Sequence, residues 1–147
     1  MSTVDWIDRA EAALAADGRK RGGARRAVLE LLGGECCALT AVEIEDALRS
    51  ESARRVSRAS VYRILDELER LHLVQRVETG QAMVRYERAH DRDQHHHHLV
   101  CDGCGVVMPF SDPGLERAIR TLSERVPLVV SEHEIVLHGA CPDCRDG

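Results

Sequence analysis

The strongest constraint on the fold is the placement of four of the six cysteines. They form two Cys-x-x-Cys pairs, Cys101 with Cys104 and Cys141 with Cys144. A Cys-x-x-Cys turn presents two thiolates along one edge of a tetrahedron, and two such turns complete the coordination of a zinc ion. The spacing therefore predicts a closed, structural Zn²⁺ site that ties the start of a C-terminal domain to its end. A redox dithiol and two disulfides are the rival hypotheses.

The totals describe a globular chain with few large side chains. Apolar residues make up 44% and aromatic residues only 3%, so Leu, Val, Ile and Ala must fill any core. No apolar run is long enough to cross a bilayer, and residues 1–5 lack the basic and apolar stretches of a signal peptide. We therefore expect a cytoplasmic protein with no membrane partner.

Residues 1–89 show helical periodicity followed by the pattern of a hairpin. The last helical stretch carries apolar residues at the spacing of one helix face, and Gly33-Gly34 is expected to end the second helix. Thr40 with Glu43 fits a capping box, and Ser57 fits an N-cap. The predicted helices are Asp5–Ala16, Ala24–Leu32, Thr40–Arg49 and Ser57–Leu71, and the predicted strands are Leu73–Val77 and Met83–Glu87.

Helices followed by a two-stranded hairpin are typical of a winged helix-turn-helix domain, whose last helix enters the DNA major groove. On that helix Tyr62 and Arg63 point away from the apolar stripe, and Ser60 and Arg58 flank the same face. Tyr and Arg there could reach phosphates and base edges, whereas the alternative is an ordinary solvated helix face. Residues 1–90 are neutral in sum, but their bases cluster, as in Arg19-Lys20-Arg21.

The second half predicts a small unit of mixed helix and sheet. A first strand, His95–Cys101, leads through the first cysteine turn into a second, Val106–Phe110. A helix over Pro113–Val126 and a strand over Leu128–His138 then lead to the second cysteine pair. The expected fold class is α+β, with a DNA-binding domain over 1–89, a hinge over 90–94 and a metal-binding domain over 95–147.

The run of four histidines before the first cysteine is the next chemical signal. Because side chains alternate along a strand, His95 and His97 should project to one face and His96 and His98 to the other. One tetrapeptide could thus seed two metal sites, each needing ligands from elsewhere. The alternative is a solvated run that binds metal adventitiously. The candidate additional ligands are Glu116, His133, Glu87 and His90.

In their joint order these motifs resemble the ferric uptake regulator (Fur) family of metal-dependent repressors. The resemblance runs from about Gly18 to Cys144 and is carried by Arg25–Leu29, Ala59–Arg63, His95–Cys104 and His133–Cys144. It implies an N-terminal winged helix, a small C-terminal α/β dimerisation domain, and a homodimer that binds a palindromic operator in double-stranded DNA.

The same resemblance implies which residues contact DNA. Tyr62 and Arg63 match recognition-helix residues of the family. A basic residue before the second helix also contacts DNA in the family, and Arg19, Lys20 and Arg21 are the candidates here.

The resemblance also implies three metal sites and the residues that form each of them. The cysteine quartet matches a structural zinc site, and His96 and His98 match a regulatory site at the hinge. Glu87, which follows Tyr86, or His90 would complete that regulatory site. A further site within the dimerisation domain aligns with His95, His97, Glu116 and His133.

The function expected from the motifs and the resemblance is metal-responsive repression of metal homeostasis genes, with zinc or ferrous iron as the effector and no enzymatic activity. Two other classes remain as alternatives. A metal-dependent hydrolase would need an open coordination position and a nearby base. A cytosolic metal-buffering protein would use the histidines as a chelator and leave the Tyr62-Arg63 helix without a role.

Overall fold

The computed structural model describes residues 2–20, 22–35, 37–51, 56–90 and 95–147. Its contacts divide the chain into two compact units, Met1–His90 and Asp91–Gly147. The predicted hinge residues 91–94 and the predicted DNA contact Arg21 lie outside the described residues. No helix of the described part is long and apolar enough to cross a membrane.

The first unit is a bundle of helices with a small antiparallel sheet, as predicted for a winged helix. The strands have the order β1-β3-β2, with β3 antiparallel to both neighbours. The helices are α1 (Thr3–Ala16), α2 (Gly23–Gly34), α3 (Ala41–Glu51) and α4 (Arg58–Arg70), and the strands are β1 (Leu39–Thr40), β2 (Val74–Val77) and β3 (Arg85–Arg88).

Two predicted caps begin the helices of the helix-turn-helix. Thr40 and Glu43 bond reciprocally at the start of α3: the Glu43 N–H donates to Thr40 Oγ1 at 3.1 Å, and the Thr40 N–H donates to Glu43 Oε2 at 2.8 Å. Ser57 Oγ accepts the N–H of Ser60 at 3.2 Å and caps α4. Both caps satisfy amide groups that a helix leaves without partners in its first turn.

The core of the first unit is built on the apolar face of α4. Val61, Ile64, Leu65 and Leu68 are buried, as the i, i+3, i+4, i+7 spacing predicts. They pack in one cluster with apolar residues of α1, α2, α3 and the sheet. Burial of this face fixes which side of α4 remains exposed.

The second helix ends at Gly34, two residues beyond the predicted last residue Leu32, so both glycines form its last turn. Gly33 is also a contact between helices. A Cβ at Gly33 would lie 2.8 Å from Thr3 Cγ2, and the Gly33 carbonyl accepts the Thr3 hydroxyl at 2.9 Å. The glycine therefore allows α1 to approach α2 closely.

The second unit is a three-stranded sheet with two helices. Strand β4 (His97–Cys101) is central, antiparallel to β5 (Val107–Phe110) and parallel to β6 (Val136–Gly139). Helix α5 (Pro113–Ser123) connects β5 to β6, and the short α6 (Pro142–Arg145) carries the second cysteine pair.

The predicted bounds of the last strand and of the helix before it were too long. The helix ends at Ser123 rather than Val126, and the strand begins at Val136 rather than Leu128. A strand requires a neighbour for its backbone hydrogen bonds, and β4 pairs with β6 only over residues 136–139. Leu128 and Val129 lie outside the sheet and are exposed.

An ion cluster joins the C-terminal half of α4 to α2 and to the segment between α1 and α2. Glu67, only 8% exposed, accepts from Arg25 Nε at 2.8 Å and from Nη2 at 3.1 Å, and lies 3.3 Å from Arg19 Nη1. The bidentate hydrogen bond from Arg25 holds the pKa of the Glu67 carboxyl below its usual value.

Glu67→Gln is expected to destabilise the first unit by about 2–3 kcal/mol, because Arg25 would lose its anionic partner in a mostly buried position. Glu30→Gln is the control, since Glu30 forms an exposed i, i+4 pair with Arg26 and should cost under about 0.5 kcal/mol. The Arg25–Glu67 pair stabilises the fold only while Glu67 is ionised. The loss of unfolding free energy caused by Glu67→Gln should therefore shrink as pH falls through the lowered pKa of Glu67. Urea unfolding at pH 7 and over a series of lower pH values measures both effects; equal losses from the two variants at pH 7 would contradict the prediction.

Candidate metal centres and nucleic-acid interface

The four cysteines converge from two turns. Cys101 ends β4 and is buried, and Cys104 lies in the turn that follows. Cys141 is the N-cap residue of α6, and Cys144 lies within that helix. Their sulfur atoms all lie within 4.8 Å of one another, with 3.9 Å between Cys104 and Cys141. Zn–S bonds of about 2.3 Å in a tetrahedron place sulfurs about 3.8 Å apart, so the quartet fits a zinc ion. Gly103 is required by this packing, because a Cβ there would lie 2.8 Å from Cys144 Sγ.

The electrostatics of the quartet also fit a cation. The N–H of Cys141 donates to Cys101 Sγ at 3.3 Å, and this bond, with the backbone N–H of Cys104, lowers the pKa of Cys101 to about 6. Hydrogen bonds with the neighbouring sulfurs of Cys141 and Cys101 raise the pKa of Cys144 to about 12. Four thiolates this close require a positive charge among them, which Zn²⁺ supplies.

A second cluster contains the four residues predicted for the dimerisation-domain site: His95, His97, Glu116 and His133. Their candidate ligand atoms lie within 4.8 Å of one another. The carboxylate of Glu116, on α5, bridges the Nε2 atoms of His97 at 2.7 Å and His133 at 3.0 Å. The His95 ring lies 4.6 Å from that of His97 and 4.7 Å from that of His133.

The hydrogen bonds of this cluster indicate which ring nitrogen of His97 carries its proton. His97 Nδ1 accepts the N–H of Ile135 at 3.2 Å, so its Nε2 carries the proton and donates to Glu116. That bond lowers the pKa of Glu116, and burial, with nearby His97 and His133, lowers the pKa of His95. Anionic glutamate and neutral histidine are the forms that bind divalent metals, so both pKa shifts favour a metal ion in this cluster.

The predicted regulatory ligands belong to both units. Glu87 lies on β3 of the first unit and is only 7% exposed; its Oε1 accepts from Gln75 Nε2 at 2.6 Å. His90 follows β3. In the second unit the rings of His96 and His98 pair edge to face at 4.9 Å. The four histidines thus pair alternately, as expected, although β4 begins only at His97.

Gln75 was not among the predicted site residues. Its only signal in the sequence is its register with Glu87, which requires the exact pairing of β2 with β3. The sequence pattern places the ends of the two strands only to within a few residues, and a shift of one residue changes every cross-strand partner.

The predicted DNA contacts differ in how their side chains are held. Tyr62 and Arg63 are exposed on α4, opposite the buried face. Ser60 is half-buried, and its hydroxyl lies 3.0 Å from that of the cap Ser57. Arg58 Nε bonds Glu45 at 2.8 Å, and Arg19 pairs with two acidic residues of its own unit. Arg58 and Arg19 would have to exchange or share these partners to bind phosphate.

Comparison with known proteins finds one family model, described as the Ferric uptake regulator family, which matches residues 16–138. A "Ferric uptake regulation protein" of Neisseria meningitidis is 33% identical over 132 residues, covering 87% of this chain and 88% of the relative. A protein of the same name from Bordetella parapertussis is 34% identical over 111 residues, covering 74% of this chain and 76% of the relative.

Two solved structures extend the comparison. The ferric uptake regulator of Helicobacter pylori, described as having three functional metal binding sites, has a TM-score of 0.84 at 26% identity and covers 100% of this chain and 96% of its own. A zinc uptake regulator complexed with zinc and DNA has a TM-score of 0.59 at 27% identity, covering 99% and 97%.

Proposed function

Since this chain belongs to the ferric uptake regulator family of metal-responsive transcription regulators, we propose that it is a repressor that binds a palindromic operator as a metal-loaded homodimer. The observation that carries the proposal is the pairing, in one chain, of an exposed Tyr62-Arg63 face on a winged helix with clustered cysteine and histidine ligands. Metal homeostasis genes are the proposed targets and the cytoplasm the proposed location.

The proposed metals follow from the donor sets. The cysteine quartet would hold a structural Zn²⁺, because four sulfurs close the coordination sphere. The cluster around Glu116 would hold a second ion, and His96 and His98, with Glu87 or His90, would hold the regulatory Zn²⁺ or Fe²⁺. Nitrogen and oxygen donors accept either metal. The three functional sites described for the Helicobacter pylori regulator support this number.

The homodimer is supported by the apolar surface of the second unit. No residue of α5 is buried in the single chain, although its apolar residues recur on one face. Leu122, Leu128, Val129 and Leu137 are all at least half exposed. Exposed apolar groups of this extent are typical of surfaces that pack against another chain, and we propose a second copy as the occupant.

The proposed switch is a change in how the two recognition helices are spaced. A metal bound by His96 and His98 together with Glu87 or His90 would tie the two units and hold the α4 helices of the dimer one helical turn of DNA apart. The ion acts through its higher affinity for the DNA-competent arrangement, with a coupling of about 1–3 kcal/mol per site.

Two other functions receive less support. A hydrolase needs a metal ion with an open coordination position and a nearby general base. A hydrolytic function would also give the winged-helix domain no role. A buffering protein would not need an exposed Tyr62 and Arg63 on α4. Members of the matched family are transcription regulators, so we propose that this chain has no enzymatic activity.

Removal of the regulatory metal is expected to weaken operator binding about 5- to 150-fold, the range of a 1–3 kcal/mol coupling. The measurement is a gel shift with a duplex selected by the protein from a random library, before and after a mild chelator. The structural zinc content is monitored so that unfolding is not mistaken for the switch. Unchanged binding by the metal-depleted, folded protein would refute the proposal, and sequence-independent binding under all conditions would favour buffering.

A further inference from the structure

A side-chain hydrogen bond crosses the β2–β3 hairpin next to one proposed regulatory ligand. Gln75 and Glu87 are register partners on the two strands, and Gln75 Nε2 donates to Glu87 Oε1 at 2.6 Å. Glu87 is 7% exposed, a burial that is costly for a carboxylate without hydrogen bonds. The contact lies entirely within the first unit.

The surrounding hairpin restricts the backbone of Glu87. Residues 74–77 pair with residues 85–88 along the full length of both strands, and the adjacent Tyr86 is buried. The freedom that remains to Glu87 is therefore in its side-chain torsions. The hydrogen bond from Gln75 restricts those torsions, because it fixes one of the two carboxylate oxygens.

The chemistry of the donor matters as much as its position. An arginine or lysine at residue 75 would neutralise the carboxylate and compete with a cation. The glutamine amide is neutral, so it can orient Glu87 while leaving its negative charge for a divalent ion. Hydrogen bonds of this kind to metal-binding carboxylates commonly tune affinity.

We infer that Gln75 is a positioning residue, which holds Glu87 through Oε1 so that Glu87 binds the regulatory metal through Oε2. This inference rests on the proposed role of Glu87 as a ligand. Gln75 is not one of the proposed ligands, so this role is additional to the proposed metal site.

The test is a Co²⁺ titration of the full chain with its structural zinc retained, followed by the d–d absorption of the bound ion. The binding step that Glu87→Gln weakens identifies the regulatory site. Gln75→Leu is expected to weaken that step about 10- to 100-fold and to change its absorption bands, while the unfolding temperature falls slightly and the protein remains folded at the titration temperature. Gln81→Leu, in the turn between the strands, is the matched control and should leave the step unchanged. If the leucine variant is unfolded at the titration temperature, Gln75→Asn, which keeps the amide on a shorter side chain, repeats the test.

A double mutant separates the outcomes. If Gln75 acts through Glu87, then adding Gln75→Leu to Glu87→Gln causes no further loss of Co²⁺ affinity. A step weakened by Glu87→Gln but not by Gln75→Leu would overturn the inference and leave the ligand intact. An equal further loss in the double mutant would show that Gln75 acts independently of Glu87. If Glu87→Gln changes no step, both the ligand and the inference fail.

Discussion

Cys101→Ser is expected to remove the structural zinc and unfold the second unit. The physical reason is that this unit has little core of its own: its buried hydrophobic residues, among those described, are Val100, Cys101 and Val107. A structural zinc site contributes roughly 10–16 kcal/mol of apparent binding free energy, as much as the whole stability of a typical domain. Loss of one of four sulfurs should therefore abolish both zinc retention and cooperative unfolding of this unit.

The measurements are zinc content after dialysis, far-ultraviolet circular dichroism and thermal unfolding. Cys37→Ser is the control, because Cys37 lies in the first unit, outside the quartet. His96→Ala is the informative comparison: it should retain the structural zinc and the fold but lose the response of DNA binding to metal. If His96→Ala unfolds the unit as fully as Cys101→Ser, the proposed division between a structural and a regulatory metal is wrong.

Arg63→Ala is expected to lower operator affinity by about 1–3 kcal/mol for each half-site, and so by roughly 30- to 25,000-fold for a dimer that uses two copies. Arg63 is exposed in the N-terminal half of α4, the part of a recognition helix that contacts base edges. Tyr62→Phe, which keeps the ring and removes the hydroxyl, should have a smaller effect if that hydroxyl bonds a phosphate.

Arg70→Ala is the matched control for Arg63→Ala. It removes the same charge from the last turn of α4, where the Arg70 side chain pairs with Asp17. Binding is measured at a fixed salt concentration on the selected duplex and on a scrambled one. A loss confined to the selected duplex indicates base recognition, whereas equal loss on both indicates a phosphate contact. Equal effects of Arg63→Ala and Arg70→Ala would remove Tyr62-Arg63 from the proposed interface.

The parts of the fold that were predicted correctly depend on local spacing. The apolar stripe of α4, the capping box of α3 and the Ser57 cap each involve residues within a few turns of one another. Each Cys-x-x-Cys turn is likewise local, although the pairing of β4 with β6 is what brings the two turns together. Such features are encoded by the helix and strand periodicities, which operate before any distant contact forms.

The features that were predicted incorrectly or missed depend on contacts between residues that are distant in the chain. The close approach of α1 at Gly33 depends on Thr3, thirty positions earlier, and whether residues 128–135 form a strand depends on how far β4 extends beside them. Arg19 and Arg58 look like unengaged bases in the sequence, yet the fold places carboxylates beside both. Contacts of this kind are set by packing between elements, and no local pattern specifies them.

What the sequence by itself determined is the chemistry of this protein: four thiolates in two turns, histidines that alternate at and before the start of one strand, and an exposed Tyr62-Arg63 pair opposite an apolar stripe. What only the tertiary structure decided is how those groups are held. The Gln75–Glu87 hydrogen bond, the Arg25–Glu67 pair and the Glu116 bridge between two histidines all join residues that are distant in the chain. Ligand type is a property of each residue, whereas orientation depends on neighbours that folding alone brings into contact.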